Sequence, residues 1–127
     1  MNAGRLAFLL AVALAFLSGG CHGADRVAGY PTATGGDAGR GKLLIGSYNC
    51  GACHMIPGVK NANGLVGPPL ILFGRRTFIA GEVPNNPENL VQWIRSPQSI
   101  EANTAMPALG LSDQDARDVA AYLYTLR

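Results

Sequence analysis

Apolar residues first gather in an unbroken run from Leu6 to Leu17, preceded by Arg5 and followed by Ser18, Gly19 and Gly20. A run of twelve is too short to cross a bilayer comfortably, and a basic start with small residues at the end is the layout of an export signal over residues 1–20. From Gly23 to Gly36 the chain has no apolar period and is rich in Gly, Ala and Thr, which predicts a flexible linker over residues 21–36. A helical period then begins. Behind Asp37, a capping residue, Ala38, Gly41, Leu44, Ile45 and Tyr48 recur on one face, predicting a helix from about Asp37 to Tyr48. Glycines 39, 41 and 46 cost that helix about 1 kcal/mol each against Ala, so close approach to another helix is expected at some of them.

The stretch from His54 to Gly67 carries Gly, Asn and Pro and reads as an extended loop, followed by a short helical piece around Leu72-Phe73-Gly74-Arg75. A second helix starts at Asn86-Pro87-Glu88-Asn89, with Asn86 as cap, Pro87 at the first position and Glu88 complementing the dipole. Leu90, Val91, Trp93 and Ile94 form its apolar face, and Pro97 ends it. A third begins at the capping box Ser112-Asp113-Gln114-Asp115 and runs through Ala116, Val119, Ala120 and Leu123 to the end. No segment alternates as a strand and none repeats, so the fold class is all-α.

Without its targeting segment the chain keeps roughly 100 residues, one small domain with a marginal core. From Cys21 onward nine Lys and Arg stand against eight Asp and Glu, only Lys42 and Lys60 being lysines. With no clustered basic surface, nucleic acid is excluded as a partner. Leu17-Ser18-Gly19-Gly20-Cys21 resembles the lipobox of bacterial lipoproteins, with the leucine four residues before the cysteine instead of three; Ser18 and Gly20 equally suit ordinary signal-peptidase cleavage. Lipidation of Cys21 would tether the domain to a membrane with a linker reach on the order of 20 Å.

Cys50-Gly51-Ala52-Cys53-His54 carries the chemistry. Thiols three residues apart can reach one edge of a flat cofactor, and the histidine follows at once, the pattern that attaches a c-type haem through two thioethers with His54 as axial ligand. A thioredoxin-like pair needs a βαβ context that is missing, and a structural zinc site needs four ligands, whereas the remaining cysteine and histidine, Cys21 and His22, lie in a different kind of segment. One axial position remains for a second ligand. A lone methionine is ordinarily core filler, but Met1 leaves with the signal and Met55 adjoins His54, so Met106 in Asn103-Thr104-Ala105-Met106-Pro107 is the credible sulfur.

Residues from about 36 to 127 resemble the class I cytochromes c, and within them the soluble branch that includes the mitochondrial protein. Gly67-Pro68 and Leu70 are similar to the family's Gly-Pro-x-Leu, which implies that the Pro68 carbonyl, already fixed by the following Pro69, accepts from the His54 imidazole. Leu72-Phe73-Gly74-Arg75 looks like the segment whose arginine approaches a haem propionate. The nine-residue step from Pro97 to Met106 is similar too and places Thr104 where a hydroxyl meets a propionate. Trp93 falls where the family carries an aromatic residue beside the methionine ligand, and Tyr122 where an aromatic packs on the N-terminal helix near Gly41. The near absence of lysines departs from the ring around the haem edge of the mitochondrial proteins and weakens long-range electrostatic steering.

The resemblance implies about three main helices and short helical pieces wrapped around one covalent haem c, in a cytochrome c domain over 37–127 that acts as a monomeric one-electron carrier and not as an enzyme. The expected setting is a respiratory or related electron-transfer chain in the periplasm, with redox proteins such as a membrane oxidase or dehydrogenase as partners. The alternative is a fixed cytochrome c subunit of such a complex. A haem peroxidase or gas sensor would need an exchangeable iron site, against which Met106 weighs.

Overall fold

The computed structural model describes residues 34–127. The export signal expected over 1–20, the lipobox-like end at Cys21 and the linker up to residue 33 lie outside the described residues. Residues 34–36, read from sequence as the end of that linker, are docked: Thr34 is buried, its carbonyl accepts from Arg117 Nη1 at 3.1 Å, and the Gly35 carbonyl accepts from Gln114 Nε2 at 3.3 Å.

Three helices form where the periodicity and capping residues predict them. Helix α1 spans Ala38–Ser47 and is capped by the Asp37 carboxylate, which accepts from the Arg40 backbone N–H at 2.6 Å. Helix α2 spans Pro87–Arg95, where the Asn86 side chain accepts from Asn89 N–H at 2.9 Å. Helix α3 spans Asp113–Thr125; Ser112 Oγ caps it by accepting from Asp115 N–H at 3.1 Å, while the Asp115 side chain turns outward to Arg40 and Tyr48. Short 3-10 turns stand at Cys50–Ala52, Phe73–Arg75 and Pro97–Ser99. The sequence reading contains no strand, yet a small antiparallel pair is present. Strand β1, Phe78–Ile79, runs against β2, Val83–Pro84, with Ile79 opposite Val83. Two residues a side are too few to show alternation, and the turn between them uses positive φ at Ala80 and Gly81, where no Asn-Gly or Asp-Gly signals it.

The packing of α1 on α3 joins the two ends of the domain. A Cβ at Gly41 would collide with the backbone oxygen of Asp118, so at this position glycine is what lets the two helices touch. Beside that contact the Asp118 carboxylate, only 1% exposed, accepts from the Asp37 N–H at 2.8 Å and from Gln114 Nε2 at 2.9 Å, and pairs with the Arg40 guanidinium, which also reaches Asp115. Burial pushes the Asp118 carboxyl up; the Asp37 N–H, the Gln114 amide and Arg40 outweigh it and hold the group below the ordinary carboxylate value. Ile45, Leu90, Ile94, Val119 and Leu123 gather from all three helices into the core, and Phe73 meets Tyr124 with ring centroids 6.3 Å apart.

A carboxyl held low in the folded chain contributes stability that is full above its unfolded value, about 3.9, and disappears as pH falls through the folded value. Asp118→Asn is therefore expected to lower stability at neutral pH by about 1–3 kcal/mol and to flatten the acid loss of stability between about pH 5 and 1. Urea unfolding at stepped pH checks both; an unchanged acid limb would assign that limb to other carboxylates.

Candidate functional site

Tyr48 is the C-cap of helix α1, and Asn49 reverses the chain in the left-handed region at φ 56°, which hands Cys50 to the tight turn Cys50–Ala52. Within it Cys53 N–H donates to Cys50 O at 3.2 Å and His54 N–H donates to the same carbonyl at 3.0 Å. The two thiols and the imidazole are thereby brought to one wall of a cavity of about 470 Å³. Cys50 and Cys53 are half-buried and are not joined in a disulfide, and burial pushes the Cys50 thiol up.

His54 is oriented by its loop. Its Nδ1 lies 2.8 Å from the Pro68 carbonyl, and a carbonyl only accepts, so Nδ1 carries the proton and donates. The lone pair is then on Nε2, the nitrogen left for a metal. Gly67 N–H donates to Cys53 O and Leu70 N–H to Met55 O, both at 2.8 Å, so the segment bearing Pro68 is clamped to the segment bearing His54. Gly67 lies directly against the ring: a Cβ there would stand 2.7 Å from Nδ1.

The loop after the Pro97–Ser99 turn closes the cavity elsewhere. Gln98 Nε2 donates to Met106 O at 2.7 Å, and Met106 N–H donates to Thr104 Oγ1 at 3.3 Å, which fixes the methionine backbone from both sides. Met106, Thr104 and, from α2, Trp93 line the same cavity as Cys50, Cys53, His54 and Pro68. The structure thus brings together seven of the eight residues singled out from the sequence.

The eighth, Arg75, is exposed and lies off the cavity; the arginine on the wall is its neighbour Arg76. The reason is the pitch of the Phe73–Arg75 turn. Side chains three apart eclipse on a 3-10 turn, so Arg76 follows Phe73, sits 5.4 Å over its ring and donates to the Pro69 carbonyl, while Arg75 is turned out. Three-residue spacing from the aromatic is the signal that could have found it. The hairpin residues Phe78, Ile79 and Ala80, together with Val66 and Leu109, also line the cavity and were missed, since their contribution depends on a chain path that no period announces.

The wall is mainly apolar, and the cavity's volume lies in the range of small-molecule sites, roughly 300–1,000 Å³. Among its functional groups are two thiols, an imidazole whose Nε2 is left for a metal, a thioether and one guanidinium, beside the polar side chains of Tyr48, Asn49, Trp93 and Thr104. Among the described residues no group of three or more His, Cys, Asp or Glu could hold a metal ion, so the zinc reading weighed from the sequence finds no cluster there. The donor set suits a metal that arrives inside a flat apolar ring carrying acid groups, and the residues fit a covalent haem.

The family model described as Cytochrome c matches residues 38–127. Cytochrome c oxidase subunit 2 of Alkalihalophilus pseudofirmus is 38% identical over 91 residues, covering 71% of this chain and 26% of the relative. Cytochrome c oxidase subunit 2 of Bacillus subtilis is 34% identical over 92 residues, covering 69% of this chain and 26% of the relative. The chain spans about a quarter of the length of these curated relatives.

The clearance at Gly67 is testable on its own. Gly67→Ala must push the imidazole or the backbone, since real Cβ atoms do not approach so closely, and a cost of about 1–3 kcal/mol is expected. Imidazole NMR of the reduced protein should then show a weakened Nδ1–H bond to Pro68; an unaltered signal with unaltered stability would mean that the ring is not held by this clamp.

Proposed function

Because the chain belongs to the cytochrome c family, with the match running over residues 38–127, we propose that it is a single-haem, one-electron carrier with His54 and Met106 as axial ligands, serving a membrane oxidase from the periplasmic side. The observation that carries this reading is the convergence of Cys50, Cys53, an Nε2-presenting His54 and Met106 on one apolar cavity. When bound, haem c supplies an iron that passes between the ferrous and ferric states by one electron.

The chain's own residues do the rest. Cys50 and Cys53 hold the ring covalently through thioethers. Pro68 fixes the His54 tautomer and raises the basicity of Nε2. A thioether from Met106 favours a higher potential than a second imidazole would, and the apolar side chains of Ile45, Leu90, Ile94 and Leu123 exclude water and disfavour the extra charge of the oxidised state. Arg76 offers the cation for the acid groups of the ring, in the place the sequence reading gave to Arg75, with Thr104 and Trp93 completing the pocket. With both His54 and Met106 holding the iron no exchangeable site would be left, which favours electron transfer over peroxidase chemistry or gas sensing.

The matched relatives are oxidase subunits by name, which favours a membrane oxidase as partner and supports a second reading as a fixed domain of such a complex. Among the described residues no helix is long and apolar enough to cross a membrane. Export over residues 1–20 and, if lipidated, an anchor at Cys21 would bring the domain to the membrane surface. Copurification with the oxidase through a high-salt wash separates the fixed subunit from the mobile carrier.

Two outcomes are expected. Met106→Ala should abolish the weak sulfur-to-iron band at the red end of the ferric spectrum, lower the potential and open the iron to carbon monoxide; persistence of the band and the potential would make Met106 a packing residue. At the docking surface, Ala105, Pro107 and Ala108 are exposed and uncharged next to Met106. Electron delivery to the oxidase should therefore change less than about tenfold between roughly 20 and 300 mM salt, and Ala108→Asp should slow it more than Lys60→Gln. Stopped-flow rates decide, and a steeper salt dependence would reveal charge steering.

A further inference from the structure

Arg76 does not hold its place on the cavity wall alone. The carbonyls at the two ends of the segment that aims it, Phe73 and Arg76, both accept from one side-chain nitrogen, Nδ2 of Asn85, at 3.2 and 3.0 Å. The other end of that amide, Oδ1, accepts from the Tyr124 hydroxyl at 2.9 Å, and the Asn85 backbone N–H donates to Thr77 O at 2.9 Å. The orientation of the amide is forced. Two carbonyls can only accept, so the NH₂ must face them, and a flipped amide would set oxygen against oxygen. Tyr124 must then be the donor. It is 4% exposed, and burial, with the nearby charge of Glu88, pushes its hydroxyl up to about 12, so it keeps its proton throughout the neutral range.

Asn85 thus has every polar atom of its side chain engaged, with partners on the Phe73–Arg76 segment and on α3, and its backbone tied to the residue before β1. Neither Asn85 nor Tyr124 lines the cavity, yet together they fix the backbone from which the wall's arginine projects. Among the described residues Arg76 is the one Lys or Arg lining the cavity, so its displacement changes the local charge outright.

We propose that Asn85, locked by Tyr124, is a positioning residue for electron transfer: it holds Arg76 against the acid groups of the bound haem and through that charge sets the potential. The proposal rests on reading the cavity as a haem site. A cation held near the ring favours the reduced form, which carries one positive charge fewer, and keeps the acid groups ionised. If the segment relaxes and the guanidinium swings to solvent, the potential falls, the acid groups titrate closer to neutrality, and the potential acquires a pH dependence.

Optical redox titration of the haem-loaded protein between about pH 5 and 8 tests this with Arg76→Gln, Asn85→Ala, Tyr124→Phe and the double variant Asn85→Ala/Arg76→Gln. Arg76→Gln should shift the one-electron equilibrium toward the oxidised form by about tenfold, the order for one charge lost at a low-dielectric wall, equivalent to about 59 mV. Asn85→Ala should give a shift of the same sign, at least about threefold, with a new pH slope, and should add nothing further in the Arg76→Gln background. Tyr124→Phe keeps the ring against Phe73 and removes only the hydroxyl, so it remains informative if Asn85→Ala fails to fold; a smaller shift of the same sign and slope is expected. If Arg76→Gln leaves the potential and its pH profile unchanged, the placement of Arg76 beside the haem acids is wrong and the proposal falls with it. If Arg76→Gln shifts the potential but Asn85→Ala and Tyr124→Phe do not, or if Asn85→Ala acts equally in both backgrounds, the haem reading stands and the positioning role is overturned.

Discussion

A domain of this size that folds around a cavity of about 470 Å³ depends on what fills it. The wall of that cavity draws apolar side chains from all three helices, and leaving it to water exposes apolar surface that a small domain with a marginal core can ill spare. Filling the cavity is therefore a folding requirement as much as a functional one. Covalent capture by Cys50 and Cys53, as proposed, would answer both at once: the filler could not be lost by dilution, and Cys50 packs directly against the core.

The cavity stands between elements distant in the chain, so its shape is set where they are tied together. The tie is the contact of α1 on α3, made possible by the missing side chain at Gly41 and fastened by Asp118, which draws an N-cap N–H, an amide and a guanidinium onto one buried carboxylate. A buried charge of this kind would be a liability if partnered singly; with both oxygens engaged it specifies one arrangement of the helices. The Tyr48 hydroxyl donates to Asp115 at 3.4 Å, and Tyr48 lines the cavity, so the network at the outer side of the helix pair reaches the wall that faces the cofactor.

What could be read from the sequence was what is local. The three helices were legible because their caps are single residues, Asp37, Asn86 and Ser112, followed at once by an apolar period. The attachment motif was legible because its chemistry lies in five consecutive residues. His54 and Pro68 were paired through family resemblance, and in the structure His54 Nδ1 lies 2.8 Å from the Pro68 carbonyl. Illegible features depend on turns and on contacts between distant segments. The choice between Arg75 and Arg76 hangs on a three-residue turn whose pitch the composition does not reveal, and the hairpin at Phe78–Pro84 is too short to alternate. Asn85 reads as an ordinary loop polar residue until its four partners are seen in space.

The polar groups around the cavity follow one physical rule. Most of the wall is apolar, and among the described residues no buried side-chain nitrogen or oxygen lacks a partner. Pro68 O takes the imidazole proton, Thr104 Oγ1 takes the Met106 N–H, Pro69 O takes the guanidinium, and Asn85 takes the carbonyls of the segment beneath it. Each of these bonds restricts a segment or side chain that borders the cavity. Satisfying the backbone and fixing the site are consequently the same act. A low-reorganisation electron carrier needs that coincidence, because ligands whose positions are already determined by the fold have little left to rearrange when the charge changes.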